Sequence, residues 1–198
     1  MANEPASWRE FFFKNRGTLL ALPAVLLGTF GKPSPRSIGI GVPLALAGEA
    51  IRCWAVGYSG VTTRADRVIA PALTTAGPYA YVRNPLYVGN VVTALGFTIA
   101  FTGDLSTARR AVLAAAGLGS ILGVYAAIVP LEEAYLRRTF GAYFEAYVAR
   151  VPRIVPRLTP SEPQVGSYDP SVILKAESRT FVTFGAMLVA LSVKALRT

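Results

Sequence analysis

The sequence predicts an all-α fold: an integral membrane helical bundle of about five transmembrane helices, occupying residues 1–198 as one domain. Three observations predict it. The chain is 53% hydrophobic and only 16% charged, where soluble domains carry roughly a quarter charged residues, and its mean hydropathy is +0.44. Apolar windows recur at about the 20-residue length needed to cross about 30 Å of hydrocarbon. The 20 Lys and Arg residues gather almost entirely at the ends of those windows, as topology signals do.

The windows fall near 17–31, 38–60, 86–103, 111–130 and 180–196. The first and last are short enough to tilt, re-enter or lie at the interface. The third and fourth contain no ionised side chain. Between the first two, Lys32-Pro33-Ser34-Pro35-Arg36 makes a tight polar turn, which predicts an antiparallel hairpin. Ahead of the first, Trp8, Phe11, Phe12 and Phe13 with Arg9, Lys14 and Arg16 read as an interfacial lead-in rather than a cleaved signal, or equally as a disordered tail.

Five crossings divide the basic residues unequally. Thirteen fall on one side: Arg9, Lys14, Arg16, Arg64, Arg67, Arg83, Arg137, Arg138, Arg150, Arg153, Arg157, Lys175 and Arg179. Six fall on the other: Lys32, Arg36, Arg109, Arg110, Lys194 and Arg197. That asymmetry predicts a cytoplasmic location for the N-terminus, the 61–85 loop and the 131–179 segment.

Composition also narrows the chemistry. There is no histidine, so the usual general base and the commonest metal ligand are missing together, and no metal site is expected. A lone Cys53 gives neither a disulfide framework nor a thiolate cluster. A net charge of +9 invites nucleic-acid binding, but that requires a basic folded surface with groove-reading or aromatic elements. Here the charge flanks apolar spans, so the membrane is the expected partner and nucleic acid is not.

The stretch Gly77-Pro78-Tyr79-Ala80-Tyr81-Val82-Arg83-Asn84-Pro85-Leu86-Tyr87-Val88-Gly89 runs directly into the third span. Pro85 suits the first helical turn, where its missing N–H is no loss, and Asn84 suits the N-cap. The positive end of that helix suits a carboxylate. Arg83 adds charge, and Tyr79, Tyr81 and Tyr87 offer flat faces for an adenine or a sulfonium. Interfacial anchoring explains the same residues equally well.

After the fourth span, Glu132 and Glu133 sit where helix meets cytosol. Adjacent carboxylates there favour a cationic neighbour, such as the ammonium and sulfonium of S-adenosylmethionine; pairing with Arg137 and Arg138 is the plainer alternative. Phe140, Tyr143, Phe144, Tyr147 and Val151 recur on one helical face, predicting an interfacial helix. Glu49 and Arg52, three residues apart inside the second span, are either a structural ion pair or part of a substrate pocket. Gly39-Ile40-Gly41 and Gly117-Leu118-Gly119 read as helix-packing contacts.

Taken together, GPYAYVRNPLYVGN and, some 45 residues later, EEAYLRRTFGAYFEAYVARVPRIVP resemble the isoprenylcysteine carboxyl methyltransferase and phospholipid N-methyltransferase superfamily. GEAIRCWAVG is a looser match, and the resemblance covers about residues 38–157. It implies a cytoplasmic cofactor-binding loop for S-adenosylmethionine, with a lipid or prenylated substrate entering from the bilayer. Tyr81, Arg83, Asn84, Pro85, Tyr87, Gly89, Glu132 and Glu133 then become cofactor-binding positions. Arg150 and Arg153 become catalytic positions beside the reacting carboxylate or headgroup. Glu49, Arg52 and Tyr147 are expected on the substrate side. Family members commonly have His where this chain has Asn84, which cannot titrate near neutral pH. The extension 160–198 lies outside the match.

The expected activity is S-adenosylmethionine-dependent methyl transfer to a lipid-like acceptor. A carboxylate acceptor needs no base, which suits a chain without histidine. A phospholipid amine acceptor, an NADPH-dependent sterol-type reductase and a non-catalytic membrane scaffold stay open as alternatives, and the oligomeric state is not legible.

Overall fold

Proline and serine placement decides where the helices begin. In the computed structural model, residues 15–60 and 72–197 are described; the Trp8 to Lys14 lead-in and the basic Arg64 and Arg67 lie outside the described residues. Among the described residues the helices are α1 (Arg16–Phe30), α2 (Pro35–Ser59), α3 (Pro85–Phe101), α4 (Thr107–Phe140), α5 (Ala142–Arg150) and α6 (Ser171–Ala195), with a 3-10 turn at Gly77–Ala80. Ser34 opens α2: its hydroxyl accepts from the Ser37 N–H at 3.3 Å while its own N–H donates to the Ser37 hydroxyl at 2.9 Å. Pro35 and Pro85 occupy first turns, where a missing N–H costs nothing.

By length and composition, α2, α4 and α6 are long and apolar enough to cross a membrane, while α1 and α3 are shorter apolar helices. α4 has 34 residues and is about 51 Å long at the helical rise. It therefore runs well past the 111–130 window, with Glu132 and Glu133 on its continuation. Leu22, Val25, Ile40, Leu46, Val112, Leu122, Val182 and Val189 are all exposed. Isolated exposed leucines are ordinary, but apolar side chains on the outside of every long helix match a lipid solvent.

The closest helix pair is α2 against α3. Gly41, Ala45 and Gly48 face Gly89, Thr93, Gly96 and Ala100; a Cβ on Gly48 would lie 2.4 Å from the Thr93 backbone nitrogen, and one on Gly96 2.3 Å from that of Ala45. Small residues are needed here because helices in lipid associate by close packing and polar contacts, without a hydrophobic drive. Of the glycine pairs singled out from sequence, Gly41 fills this role, whereas Gly39 and Gly119 have no neighbouring atom within 4 Å.

The hairpin expected between the first two spans does not pack as one: α1 lies along α4 and not along α2. The Asp104 N–H donates to the Lys32 carbonyl at 3.0 Å, which carries the connecting turn over the end of α3. With α3 filling the small-residue face of α2, α1 is displaced. Leu27, Ala45, Phe97, Ala100, Phe101, Phe184, Met187 and Leu191 then form one core joining α1, α2, α3 and α6. A second core on α4, including Tyr125 and Ile128, receives Tyr87 and Val91 from α3 and Leu19 from α1.

The interfacial helix is shorter than its sequence pattern. Gly141, at φ 49°, separates α4 from α5, a conformation L side chains avoid. Phe140 therefore ends α4. Tyr143 is exposed, while Phe144, Tyr147 and Val151 pack with Leu73.

Candidate functional site

Two segments singled out in the sequence meet directly. The Arg83 Nε donates to Glu133 Oε1 at 3.1 Å, and the Tyr87 hydroxyl donates to Glu132 Oε1 at 2.7 Å. The pattern follows from local structure. Pro85 starts α3 so that Tyr87 lies on its first turn, and α4 runs unbroken to Phe140, so the acidic pair projects at the level of that turn.

Glu133 is 4% exposed and both its oxygens are committed. Arg153 reaches it through Nε at 3.1 Å to each oxygen and through a terminal nitrogen at 2.5 Å. The carboxylate holds the Arg153 guanidinium above its usual range through that hydrogen bond. Arg83 also donates to the Val151 carbonyl at 2.5 Å and the Val148 carbonyl at 3.3 Å, so it closes the end of α5. Guanidinium suits this work because its planar donors can serve a carboxylate and backbone oxygens at once. Pairing of the acidic residues with Arg137 is not what forms; Arg137 bonds Glu145 instead.

Asn84 stands at the N-cap position without a capping bond. Its amide donates across to the Arg153 carbonyl at 3.1 Å, tying the loop before α3 to the loop after α5. Tyr81 is half-buried, its ring 6.2 Å from that of Trp54, and its carbonyl accepts the Arg157 N–H at 3.0 Å. The Tyr87 ring lies against that of Tyr125, centroids 4.3 Å apart and planes tilted by 47°. Gly89 faces Gly48 and Arg52 inside the α2–α3 contact, so it serves helix approach. Arg150 ends α5 with its side chain exposed.

Tyr147 is buried and donates to the Tyr79 carbonyl at 2.8 Å. Burial raises both phenols, Tyr79 to about 12 and Tyr147 higher, so both stay neutral donors at physiological pH. Tyr147 thus braces the loop.

Glu49 and Arg52 lie within α2, where Arg52 packs against Gly89. They approach to 3.6 Å, but Arg52 is held more closely by Glu177 at 2.5 Å and also donates to Asn90 and to Thr180 at 3.3 Å. Arg52 therefore ties α2 to α3 and α6. Sequence reasoning missed Glu177, which is 1% exposed. A signal was present: Glu177 and Thr180 continue the spacing of Phe184, Met187 and Leu191, so they belong to the inward face of α6.

The extension after 157 straps the same loop. The Ser161 N–H donates to the Ala80 carbonyl at 2.9 Å, the Thr75 N–H to the Val165 carbonyl at 2.9 Å, and the Asp169 N–H to the Gly57 carbonyl at 2.8 Å. The Val165 N–H in turn donates to the Thr75 hydroxyl at 2.9 Å.

These residues suit a ligand with an ammonium group and hydroxyls, as S-adenosylmethionine has. A carboxylate offers about four acceptor positions, so Glu132 can keep Tyr87 and still receive a ligand donor. Glu133 does not fit that use, because it already serves two guanidinium groups.

The phospholipid methyltransferase family model matches residues 37–143. Cobalt-zinc-cadmium resistance protein CzcN of Cupriavidus metallidurans is 35% identical over 133 residues, covering 67% of this chain and 54% of that protein. Protein-S-isoprenylcysteine O-methyltransferase B of Arabidopsis thaliana is 28% identical over 120 residues, covering 59% and 57%. Protein-S-isoprenylcysteine O-methyltransferase of Schizosaccharomyces pombe is 34% identical over 84 residues, covering 42% and 33%. The chain spans about half the length of the first two relatives and a third of the last. No solved structure matches it. With more than half of its residues inside the family model, the all-helical, apolar chain belongs to the phospholipid methyltransferase family.

Proposed function

We propose that this protein transfers a methyl group from S-adenosylmethionine to a lipid-like acceptor, with a carboxylate as the favoured acceptor. The observation that carries the reading is the meeting of the two family-covered segments, through Tyr87 with Glu132 at 2.7 Å and Arg83 with Glu133 at 3.1 Å. The bundle crosses the membrane five times in this reading, with the N-terminus and the site cytoplasmic, in keeping with the positive-inside count. The names of the plant and yeast relatives, protein-S-isoprenylcysteine O-methyltransferases, support a prenylated cysteine carboxylate as one acceptor.

Bound S-adenosylmethionine supplies a methyl carbon on a positively charged sulfur. Glu132, steadied by Tyr87, takes the ammonium or a hydroxyl of the donor, and Tyr81 offers a flat face. The donor held there would give its methyl group to an acceptor oxygen, the carbon–sulfur electron pair remaining on sulfur as the neutral thioether. A carboxylate acceptor arrives ionised, so no residue need remove a proton. Arg153 keeps donors beyond those given to Glu133 and aligns the acceptor; orientation of the two reactants supplies most of the rate. Glu133 acts through Arg83 and Arg153 as a positioning residue.

Calorimetry on detergent-purified protein tests this. Wild type binds S-adenosylmethionine, and Glu132→Ala abolishes binding while its melting temperature without ligand stays close to wild type. Glu133→Ala loses both binding and stability. Unchanged affinity in both variants would remove the acidic pair from the site, and a larger melting shift with NADPH than with S-adenosylmethionine would replace the reaction class.

A further inference from the structure

We propose that loop 151–158 is an interfacial anchor, seated in the headgroup–acyl boundary of an anionic leaflet on the side of the Arg83–Glu133 contact. Ile154, Val155 and Leu158 lie in lipid and Arg150 lies against phosphate. This inference needs the membrane reading but not methyl transfer.

Exposure sets the loop apart. Ile154 is 60%, Val155 76% and Leu158 99% exposed, three large apolar side chains within five residues of irregular backbone. A soluble surface does not concentrate apolar groups in this way without a partner. Depth is fixed by a bond: Arg153 of this loop is 2.5 Å from Glu133, and Glu133 lies three residues past the apolar 111–130 window of α4. At about 1.5 Å per residue, Glu133 lies about 5 Å past that window, and the contact ties the loop to the same end of α4, where Ile154 and Val155 follow immediately.

Backbone chemistry agrees. Irregular backbone does not enter the lipid core because its polar groups go unmet. Pro152 and Pro156 carry no N–H, the Val151 N–H is given to Tyr147 and the Arg157 N–H to Tyr81, so half of the loop's eight residues present no free donor, and the remaining N–H groups need the polar headgroup level and not the acyl core. Arg157 closes the loop by donating to the Arg150 carbonyl at 3.0 Å, which joins the exposed Arg150 to the segment that carries the apolar tip. Cations next to inserted apolar groups match an anionic leaflet.

The test places a nitroxide at Val155→Cys or Leu158→Cys in a Cys53→Ser background, with Glu162→Cys as the water-exposed reference. Full-length protein is reconstituted in nanodiscs of phosphatidylcholine with phosphatidylglycerol, or of phosphatidylcholine alone. Collision with oxygen exceeds collision with a nickel chelate at 155 and 158, and the reverse holds at 162. Arg150→Gln lowers the lipid-inserted to water-exposed ratio at 158 roughly fivefold in the anionic discs, and omitting the anionic lipid lowers it in wild type. Nickel access at both 155 and 158 equal to that at 162 overturns the proposal, as does shielding of both sites from both reagents, which would mean that a second protein surface covers the loop. A ratio indifferent to lipid charge overturns the phosphate contact. None of these readouts requires a working methyltransferase.

Discussion

Glu177 on α6 lies 2.5 Å from the guanidinium of Arg52 on α2, 125 residues earlier in the chain, and both side chains are almost wholly buried. The contact draws the C-terminal extension, which lies outside the family match, into the centre of the bundle. Removing one partner of a buried pair costs about 3–5 kcal/mol when the other charge is left alone; here Glu49 at 3.6 Å still faces Arg52, so the lower end of that range applies. Glu177→Ala is therefore expected to lower stability in detergent by that amount. Paired replacement, Arg52→Leu with Glu177→Leu, costs less than the two single changes summed. A double-mutant cycle on denaturation midpoints checks both statements.

The α2–α3 contact gives a sharper contrast. Gly96→Val places a branched side chain where even a Cβ would lie 2.3 Å from the Ala45 nitrogen, and the expected result is loss of folded protein on size-exclusion chromatography. Gly39→Ala and Gly119→Ala meet no atom within 4 Å. Each is expected to raise stability by about 0.5–1 kcal/mol, because alanine loses less backbone freedom in a helix. A thermal melt separates the two classes.

Tyr87→Phe keeps the ring on Tyr125 and removes only the hydroxyl that Glu132 accepts. A hydrogen bond to a charged group contributes about 1.5–3 kcal/mol. Glu132 loses its orientation, so affinity for S-adenosylmethionine falls at least about tenfold. Calorimetry reads this, and the melting temperature without ligand shifts little.

Thr75→Val deletes the hydroxyl that accepts the Val165 N–H at 2.9 Å. The strap then loosens over the 74–81 loop at a cost of about 1–2 kcal/mol. Amide exchange around Val165 and Ser161 is expected to accelerate in mass spectrometry, with exchange in the α2–α3 core unchanged.

How far the site was legible follows from the range of the forces involved. Pro85 starting α3 and the polar turn Lys32–Arg36 ahead of α2 are local events, settled within a few residues, and both were readable. Asn84 was placed correctly at the helix start, but its side chain turned to Arg153, because the loop after α5 offered a carbonyl that no local pattern reveals. The helix expected from Phe140 to Val151 broke at Gly141, where one positive φ interrupts the backbone, yet Phe140 still packs with Phe144, Tyr147 and Val151, and only Tyr143 leaves that face. Glu132 and Glu133 were read as equivalent. They differ because only Glu133 is buried between Arg83 and Arg153.

Composition and periodicity alone determined that this chain is helical, that its long helices carry an apolar exterior suited to lipid, and that its 198 residues include no histidine. Those properties are sums over residues or patterns within a helix, and they survive ignorance of the fold. Tertiary structure decided the partners: α1 on α4, Glu177 on Arg52, the strap over the loop, and Glu133 shared by two arginines. Each depends on which distant segment arrives within about 3 Å, a distance at which directional hydrogen bonds choose among many similar polar groups.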